Sequence, residues 1–248
     1  MPTPADRAAA ILPGRGEPPW PDHEFVRGWG VFGLPFDSGH VLALRVFPQN
    51  SFAPYSTVWH RDPDGRWSIF VDGSSRQTAC PRYYGAACHR ITDSRIDLDW
   101  EGPRSLRVRV DDPALDWRLT LKRSPIVGLL NPLGAALPLG TWRVPAVRRA
   151  RELMARGLGL GRIELSGPMP SGHVGLLMPE RMHLIGSATA TLEGADLGIP
   201  ARVAENPEIG GVTLPARGVL SFGQAVWKIR DREEFDRLRA DAADVDVG

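Results

Sequence analysis

The 248-residue chain has only two cysteines, almost no net charge and no long apolar run. The two cysteines, Cys80 and Cys88, are too few for a disulfide framework, and this low number fits a reducing compartment. A single disulfide bond between them is the alternative. The formal net charge of +1 gives no global field that would attract DNA or RNA, so no nucleic-acid partner is expected. Because no stretch of about 18 apolar residues occurs, no membrane-spanning segment is expected, and we expect a cytoplasmic protein.

Standard sequence signatures of cofactor and nucleophile chemistry are also missing. There is no G-x-G-x-x-G or P-loop motif and no G-x-S-x-G elbow. The six histidines are scattered, and none makes a two-ligand metal spacing with another His, Cys or carboxylate. We therefore expect neither a metal nor another cofactor. Residues 1–24 are rich in proline, lack the apolar stretch of a signal peptide, and are predicted to form a flexible leader.

From about residue 25 the chain alternates apolar and polar side chains with a period of two, which is typical of β-strands. Asp62-Pro63-Asp64-Gly65 predicts a hairpin between Tyr55–Arg61 and Arg66–Val71. Three later runs each have one apolar and one charged side: residues 96–100, 106–110 and 117–121. Such strands are typical of an antiparallel sheet with one solvated face. Eight to eleven short strands of this kind predict a mainly β protein with a β-barrel or closed sandwich.

The pattern predicts one domain, residues 25–230, followed by a charged C-terminal helix or tail at residues 231–248. A helical insertion is predicted at about residues 125–158, where an apolar segment broken by Pro and Gly precedes an amphipathic helix. The apolar segment is interpreted as a lid over the barrel mouth, a plug packed on the barrel, or a patch that contacts lipid. The few Lys and Arg residues that flank it in the sequence favour the lid or the plug.

Aromatic residues are concentrated before residue 120. One interpretation is a cavity inside the barrel that is lined by flat apolar side chains and holds a small ligand. The alternative is an aromatic core that fills the barrel. The candidate ligand-binding residues are Trp59, Trp67, Phe70, Trp100 and Trp117.

The segment Cys80–Gly85 is the most site-like local feature, because it combines a thiol, a guanidinium and two phenols. Arg82 is a candidate to hold a carboxylate or carbonyl oxygen, and Tyr83 and Tyr84 are candidates to donate a proton or a hydrogen bond. The alternative is that the tyrosines pack against the barrel rim and Arg82 is solvated. His60, oriented by Asp62, is a further candidate acid–base group. The alternative is that His60 is an exposed strand residue without a catalytic role.

Several stretches together resemble a known group of proteins: Trp59–Trp67 with its hairpin turn, Cys80–Gly85, Trp100-Glu101-Gly102-Pro103 and Leu106-Arg107-Val108. Over most of residues 55–230 the chain resembles a family of uncharacterised actinobacterial proteins. Their general pattern is similar to the lipocalin-like superfamily that includes carotenoid hydratases and cofactor-independent cyclases. The resemblance implies a lipocalin-like β-barrel. Those enzymes usually have two barrels, for which 248 residues leave little room, and none of their catalytic residues maps onto this chain.

Three functions are compatible with these patterns. The first is binding of a lipophilic small molecule, isoprenoid- or polyketide-like, in an aromatic-lined barrel cavity. The second is a cofactor-free isomerase, hydratase or cyclase, which requires at least two of Tyr83, Tyr84, Arg82 and His60 to converge on that cavity. The third is an interaction module with a filled barrel.

Overall fold

Alternating apolar and polar residues build one large antiparallel-rich sheet. The computed structural model describes residues 2–245, with side chains up to residue 242. Strands make up 41% and helices 22% of the chain. The sheet curls into a half-barrel, and the few helices include a short one near the C-terminus. The mainly β, antiparallel architecture predicted from the sequence is therefore confirmed.

The secondary-structure elements are numbered in chain order. The strands are β1 (Gly14–Arg15), β2 (His23–Pro35), β3 (Val41–Asn50), β4 (Tyr55–Arg61), β5 (Trp67–Asp72), β6 (Arg90–Asp93), β7 (Ile96–Trp100), β8 (Ser105–Val110), β9 (Leu115–Leu121), β10 (Ser166–Pro168), β11 (Val174–Leu192), β12 (Ala195–Asp196), β13 (Glu208–Ile209), β14 (Val212–Thr213) and β15 (Val219–Lys228). The helices are α1 (Pro4–Ala9), α2 (Pro81–Tyr84), α3 (Pro125–Ala136), α4 (Pro145–Gly157) and α5 (Arg232–Val245), with short 3-10 helices at Gly85–Ala87 and Leu139–Arg143.

Thirteen strands form the main sheet, whose central path runs β6-β5-β4-β3-β2-β15-β11-β9-β8-β7. Strand β1 pairs with β3, and β10 and β12 pair with β11. The β1–β3 and β5–β6 pairs are parallel. The two outer strands, β6 and β7, are consecutive in the chain and are joined only by Ser94 and Arg95. This short link brings the two edges of the sheet together, so the sheet has to curl.

The curl depends on β11, which is long enough to pair with two different strands. Its first part, Gly175–Leu184, pairs with β15, and its second part, Ile185–Leu192, pairs with β9. The register shifts between Pro179 and Arg181 and between Ile185 and Ser187. Irregularities of this kind bend a strand and increase its twist. Strand β11 therefore turns the β2–β5 half of the sheet toward the β7–β9 half.

Glycines allow the strands to approach closely at the centre of the sheet. Gly28 of β2 and Gly223 of β15 lie opposite each other. A Cβ atom on Gly28 would lie 1.9 Å from the carbonyl oxygen of Val46, and one on Gly223 would lie 2.2 Å from that of Met178. Both distances are well below contact, so a larger residue requires the backbone to move.

The inner side of the curled sheet is filled with apolar side chains. Leu42 and Val58 from one half of the sheet belong to the same cluster as Leu106 and Trp117 from the other half. All four side chains are fully buried. The interior of the half-barrel is therefore a packed core.

The outer side of the sheet differs between its two halves. On β4 and β5, Trp59 and Trp67 are buried against α2 and residues 209–214. On β8 and β9 the outer side is charged, as the ion pair between Arg107 and Asp116 shows. The predicted division into a dry and a charged face thus holds for β7–β9, whereas β2–β5 are covered on both sides.

The segment predicted as a flexible leader contains regular structure, which corrects that prediction. Thr3 and Asp6 form a capping box for α1, and Pro4 occupies the first helical position. Strand β1 pairs with β3, and β2 begins at His23, before the predicted domain boundary. The many prolines of this segment favour the prediction of a flexible leader, whereas the capping box that starts α1 requires only residues 3–6.

The predicted insertion and C-terminal helix are present. Helices α3 and α4 lie within the predicted residues 125–158, and α5 begins one residue after the predicted boundary at 231. The Oγ atom of Ser124 accepts a hydrogen bond from the backbone amide of Val127 and so caps α3. None of the helices described has the length and apolar character that a membrane crossing requires.

Candidate functional site

A small cavity on the outer side of the sheet combines apolar walls with one buried cation. It has a volume of about 50 Å³. Its walls come from β2, β3, β11 and β15, together with Cys80, Tyr84 and Val212–Leu214. Among the described side chains that line it, only Arg45 carries a charge. The void as it stands holds about three to five water molecules.

Arg45 on β3 is held between two aromatic rings. Its guanidinium carbon lies 4.7 Å from the ring centres of Phe32 and of Trp59. Its Nη1 atom donates to the carbonyl oxygens of Val31, at 2.6 Å, and Leu44, at 3.0 Å, and its Nη2 atom donates to that of Phe32, at 3.2 Å. Because a guanidinium has five N–H donors, these three hydrogen bonds leave two donors for a ligand.

The positive charge of Arg45 has no carboxylate partner in the described part of the chain. Burial lowers the pKa of Arg45, and the groups that oppose this shift are the Cys80 thiol and the phenols of Tyr84 and Tyr55. Removing a cation from water costs several kcal/mol, and contact with aromatic rings offsets about 0.5–2 kcal/mol of that cost. The site therefore retains an uncompensated charge that would favour an anion.

The groups beside Arg45 are neutral at physiological pH. Burial raises the pKa of the Cys80 thiol and of the Tyr84 phenol. The hydroxyl oxygen of Tyr55 lies 3.7 Å from the sulfur of Cys80. The Tyr84 ring packs on Trp59 with ring centres 4.6 Å apart. The cavity thus offers one cation, neutral hydrogen-bonding groups and an apolar surface.

A second polar cluster surrounds Glu24, the first buried residue of β2. Its carboxylate is fully buried and accepts hydrogen bonds from Nε of Arg82, at 2.9 Å, and from Nη2 of Arg82, at 2.8 Å. Burial disfavours the charged guanidinium, but the hydrogen bonds and the charge of Glu24 outweigh it and raise the pKa of Arg82. Arg82 is therefore neither solvated nor available to a ligand, because its planar edge is used by Glu24.

Tyr83 belongs to the same cluster. Its hydroxyl donates to the Oε2 atom of Glu24 at 2.5 Å, and its ring stacks on Trp227 with centres 3.9 Å apart. Burial, followed by the charge of Glu24, raises the pKa of Tyr83, so the phenol stays protonated. His173 Nε2 lies 3.7 Å from Glu24 Oε1, and burial lowers the pKa of His173. Because Glu24 and Tyr83 are shielded from solvent, the cluster joins β2, α2, β15 and the turn before β11 as a structural element.

His60 lies at the end of β4, away from both sites. Its ring stacks on that of His40, and Nε2 of His60 is 2.9 Å from Nδ1 of His40. Burial, followed by repulsion from His40, lowers the pKa of His60 to about 4. Asp62, which the sequence proposes as its orienting group, accepts hydrogen bonds from the backbone amide and Nε of Arg66 in the hairpin turn.

The five aromatic residues predicted to bind a ligand lie in the two cores. Phe70 and Trp117 are buried inside the curl, and Trp100 packs against the same cluster. Trp59 and Trp67 lie on the outer side. None of the five lines the Arg45 cavity. All five lie in packed clusters, as the alternative interpretation of an aromatic core expects. Of the four candidate catalytic residues, Tyr84 alone lines the cavity.

Sequence reasoning missed the two charged residues around which the polar sites form. Arg45 interrupts the otherwise apolar beginning of β3, and a charge in such a run is a usable signal. Glu24 has no such signal, because it stands beside the polar His23 at the start of a strand. Its partners, Arg82 and His173, are brought to it only by the tertiary fold.

Cys80 and Cys88 are both free thiols in the structure. Within residues 2–245, no group of three or more His, Cys, Asp or Glu side chains is arranged to hold a metal ion. Comparisons of the chain with protein-family models, with curated proteins and with solved structures find no match. The geometry of the sites is thus the basis for a functional proposal.

Proposed function

We propose that the protein binds a lipophilic small molecule that carries one acidic group, with that group placed against Arg45. The observation that carries this proposal is a buried guanidinium at the wall of an apolar cavity, with two free N–H donors and no carboxylate partner among the described residues. A carboxylate accepts two parallel hydrogen bonds from such a group. The proposal keeps the ligand class expected from the sequence, an isoprenoid- or polyketide-like molecule, but assigns it to the outer side of the sheet.

The walls of the cavity define where the apolar part of the ligand would lie. Leu177, Met178 and Ala225 form part of the sheet wall, and Val212–Leu214 covers the cavity from outside. A ligand larger than a few water molecules requires this cover to move outward. The short β13–β14 hairpin, which pairs only within itself, is the element that would move.

Decanoate and its uncharged analogue decanol test the proposal. Native mass spectra of the purified protein would reveal a co-purified acid, and thermal-shift titrations would compare the two added ligands. A charge-assisted hydrogen bond is worth about 1.5–3 kcal/mol, so decanoate is expected to bind roughly 10- to 150-fold more tightly than decanol. In Arg45→Met the two ligands should bind equally.

Two further variants control this experiment. Arg27→Met removes an exposed arginine from the neighbouring strand β2 and should leave the preference for decanoate unchanged. Ala225→Val fills the cavity while keeping Arg45, and should weaken both ligands. Equal binding of decanoate and decanol to the wild-type protein, or decanoate binding that Ala225→Val leaves intact, would refute the proposal.

A second candidate function is an interaction module, because the inside of the half-barrel is filled by a packed core. The enzyme hypothesis requires at least two of its four residues at one cavity, and the structure brings one of them, Tyr84, to the Arg45 cavity. Turnover of a bound acid that depends on Tyr84 would revive the enzyme hypothesis.

A further inference from the structure

The insertion exposes an apolar helix face to solvent. Ile126, Leu129 and Leu133 of α3 are 64%, 67% and 59% exposed, and Leu137, which follows the end of the helix, is also exposed. The spacing of three and four residues places the first three along one face of the helix. Seven of the ten large apolar side chains that the described residues expose lie between residues 126 and 154.

The opposite face of α3 fixes the helix to the sheet. Val127 is buried, and Asn131 donates from Nδ2 to the carbonyl oxygen of Met182 at 2.9 Å. The Oδ1 atom of Asn131 accepts from the backbone amide of Met182 at 2.8 Å. These two hydrogen bonds fix the rotation of the helix about its axis, and its apolar face is therefore held toward solvent. Helix α3 contains no charged residue, and a helix that presents such a face to water is unusual in a monomer.

A basic cavity of about 300 Å³ lies beside the first two turns of this helix, where Gly128 and Pro132 line it. Among the described side chains that line it, none is a carboxylate and five are cationic: Arg7, Arg104, Lys122, Arg123 and Arg181. These cations come from α1, the turn between β7 and β8, the segment after β9, and β11. The sequence does not show them as a group, whereas the fold concentrates them beside the apolar helix.

A further feature makes the basic cavity suitable for an oxyanion. His183 also lines the cavity, and its buried Nε2 atom has no hydrogen-bond partner among the described residues. Burial, followed by the charges of Arg104, Arg7 and Arg181, lowers the pKa of His183 to about 4.

We infer that α3 and the basic cavity together form a docking surface for an anionic lipid membrane. The leucine side chains of α3 enter the boundary between headgroups and acyl chains, and the five cations bind lipid phosphates. An apolar helix face with adjoining Lys and Arg is the arrangement by which proteins attach to a membrane surface without spanning it. The five cations favour an anionic lipid surface over the α3 helix of a second copy, because α3 carries no charge that could pair with them.

Vesicle flotation tests this surface. Vesicles of phosphatidylcholine with about 30% phosphatidylserine should bind the protein at least tenfold more tightly than pure phosphatidylcholine, and about 0.5 M salt should remove most of the difference. Arg104→Gln/Arg123→Gln removes two cations and should weaken binding about 25-fold, at about fivefold per charge. Leu129→Ser/Leu133→Ser removes two exposed apolar side chains and should weaken binding at least tenfold.

Matched double variants elsewhere on the surface serve as controls. Arg90→Gln/Arg95→Gln removes two exposed arginines, and Val174→Ser/Ile199→Ser removes two exposed apolar residues. Both should bind the mixed vesicles as the wild-type protein does. Failure of the wild-type protein to bind these vesicles would overturn the inference, as would equal losses in test and control variants. Dimerisation abolished by Leu129→Ser/Leu133→Ser, without vesicle binding, would show that a second copy covers the helix and would also overturn it.

Discussion

The ion pair between Arg82 and Glu24 allows a direct test of whether the Glu24 cluster is a structural element. The two side chains are 6% and 0% exposed, and their contact is bidentate. Removal of one partner leaves the other charge buried without compensation, which costs about 3–5 kcal/mol. We therefore expect Arg82→Met to lower the free energy of unfolding by that amount, which is a large part of the roughly 5–15 kcal/mol that stabilises a typical domain.

A second ion pair provides a control of the same geometry in a different environment. Arg107 and Asp116 also form a bidentate contact, at 3.0 and 2.7 Å, but their side chains are 25% and 38% exposed. Exposed pairs of this kind contribute about 0–1 kcal/mol. Arg107→Met should therefore cost no more than about 1 kcal/mol, and the difference between the two variants measures the effect of burial.

Urea unfolding, followed by tryptophan fluorescence, measures both variants, since Trp227 stacks on Tyr83 within the buried cluster. For a chain of this length a loss of about 3–5 kcal/mol corresponds to a fall in Tm of roughly 6–20 °C. The double variant Arg82→Met/Glu24→Gln should lose less than the sum of the single variants, because it leaves no isolated charge. If Arg82→Met costs as little as Arg107→Met, the cluster is not a structural element, and Arg82 and Tyr83 return as candidates for catalysis.

Three further predictions concern titration, packing and thiol reactivity. Because burial lowers the pKa of His60, and that of His183, to about 4, both neutral histidines should stabilise the protein fully above about pH 6.5 and lose that contribution as the pH falls to about 4. His60→Gln should remove the share of His60, up to about 3 kcal/mol, from this fall in denaturation curves. Gly28→Ala places a methyl group against the Val46 carbonyl and should cost at least about 2 kcal/mol of unfolding free energy. Burial raises the pKa of Cys80, and that of Cys88 to about 12, so a thiol reagent should label both slowly until the protein is unfolded.

Each of these predictions has a control or a contrary outcome. If His60→Gln leaves the fall in stability at acid pH unchanged, the prediction for His60 is wrong. A Cβ atom on Gly102 would meet nothing within 4 Å, so Gly102→Ala should change stability by less than about 0.5 kcal/mol. Fast labelling of both thiols in the native protein would show that the segment around α2 opens readily.

The strand pattern could be predicted from the sequence because it depends on local alternation. Residues 96–121 alternate between core and solvent with few exceptions, and the Asp62–Gly65 turn fixes the hairpin next to it. The same alternation does not show that the outer side of β4 is also covered. The sequence pattern therefore predicts that Trp59 and Trp67 line a ligand cavity, whereas α2 and residues 209–214 bury them.

The polar sites depend on contacts that no local pattern records. The chemistry of the segment Cys80–Gly85 predicts one site, but the structure divides its residues between two: Arg82 and Tyr83 bind Glu24, while Tyr84 lines the Arg45 cavity. The basic cavity brings together cations from four separate segments. For this reason, the number of Lys and Arg residues near the insertion in the sequence does not reveal the cations that the fold places beside α3.

The pairing of β2 with β15 has a consequence for how the protein is made. Lys228 lies opposite His23, and the pairing continues to Val219 opposite Gly33, so the centre of the sheet joins the first long strand to the last. A nascent chain emerging from the ribosome can form the β3–β4–β5 hairpins early, but the other edge of β2 has no partner until β15 has been synthesised. Sequence-distant pairing of this kind slows folding and leaves an unpaired strand edge open to aggregation, so the β2–β15 pairing is a late step in the formation of the sheet.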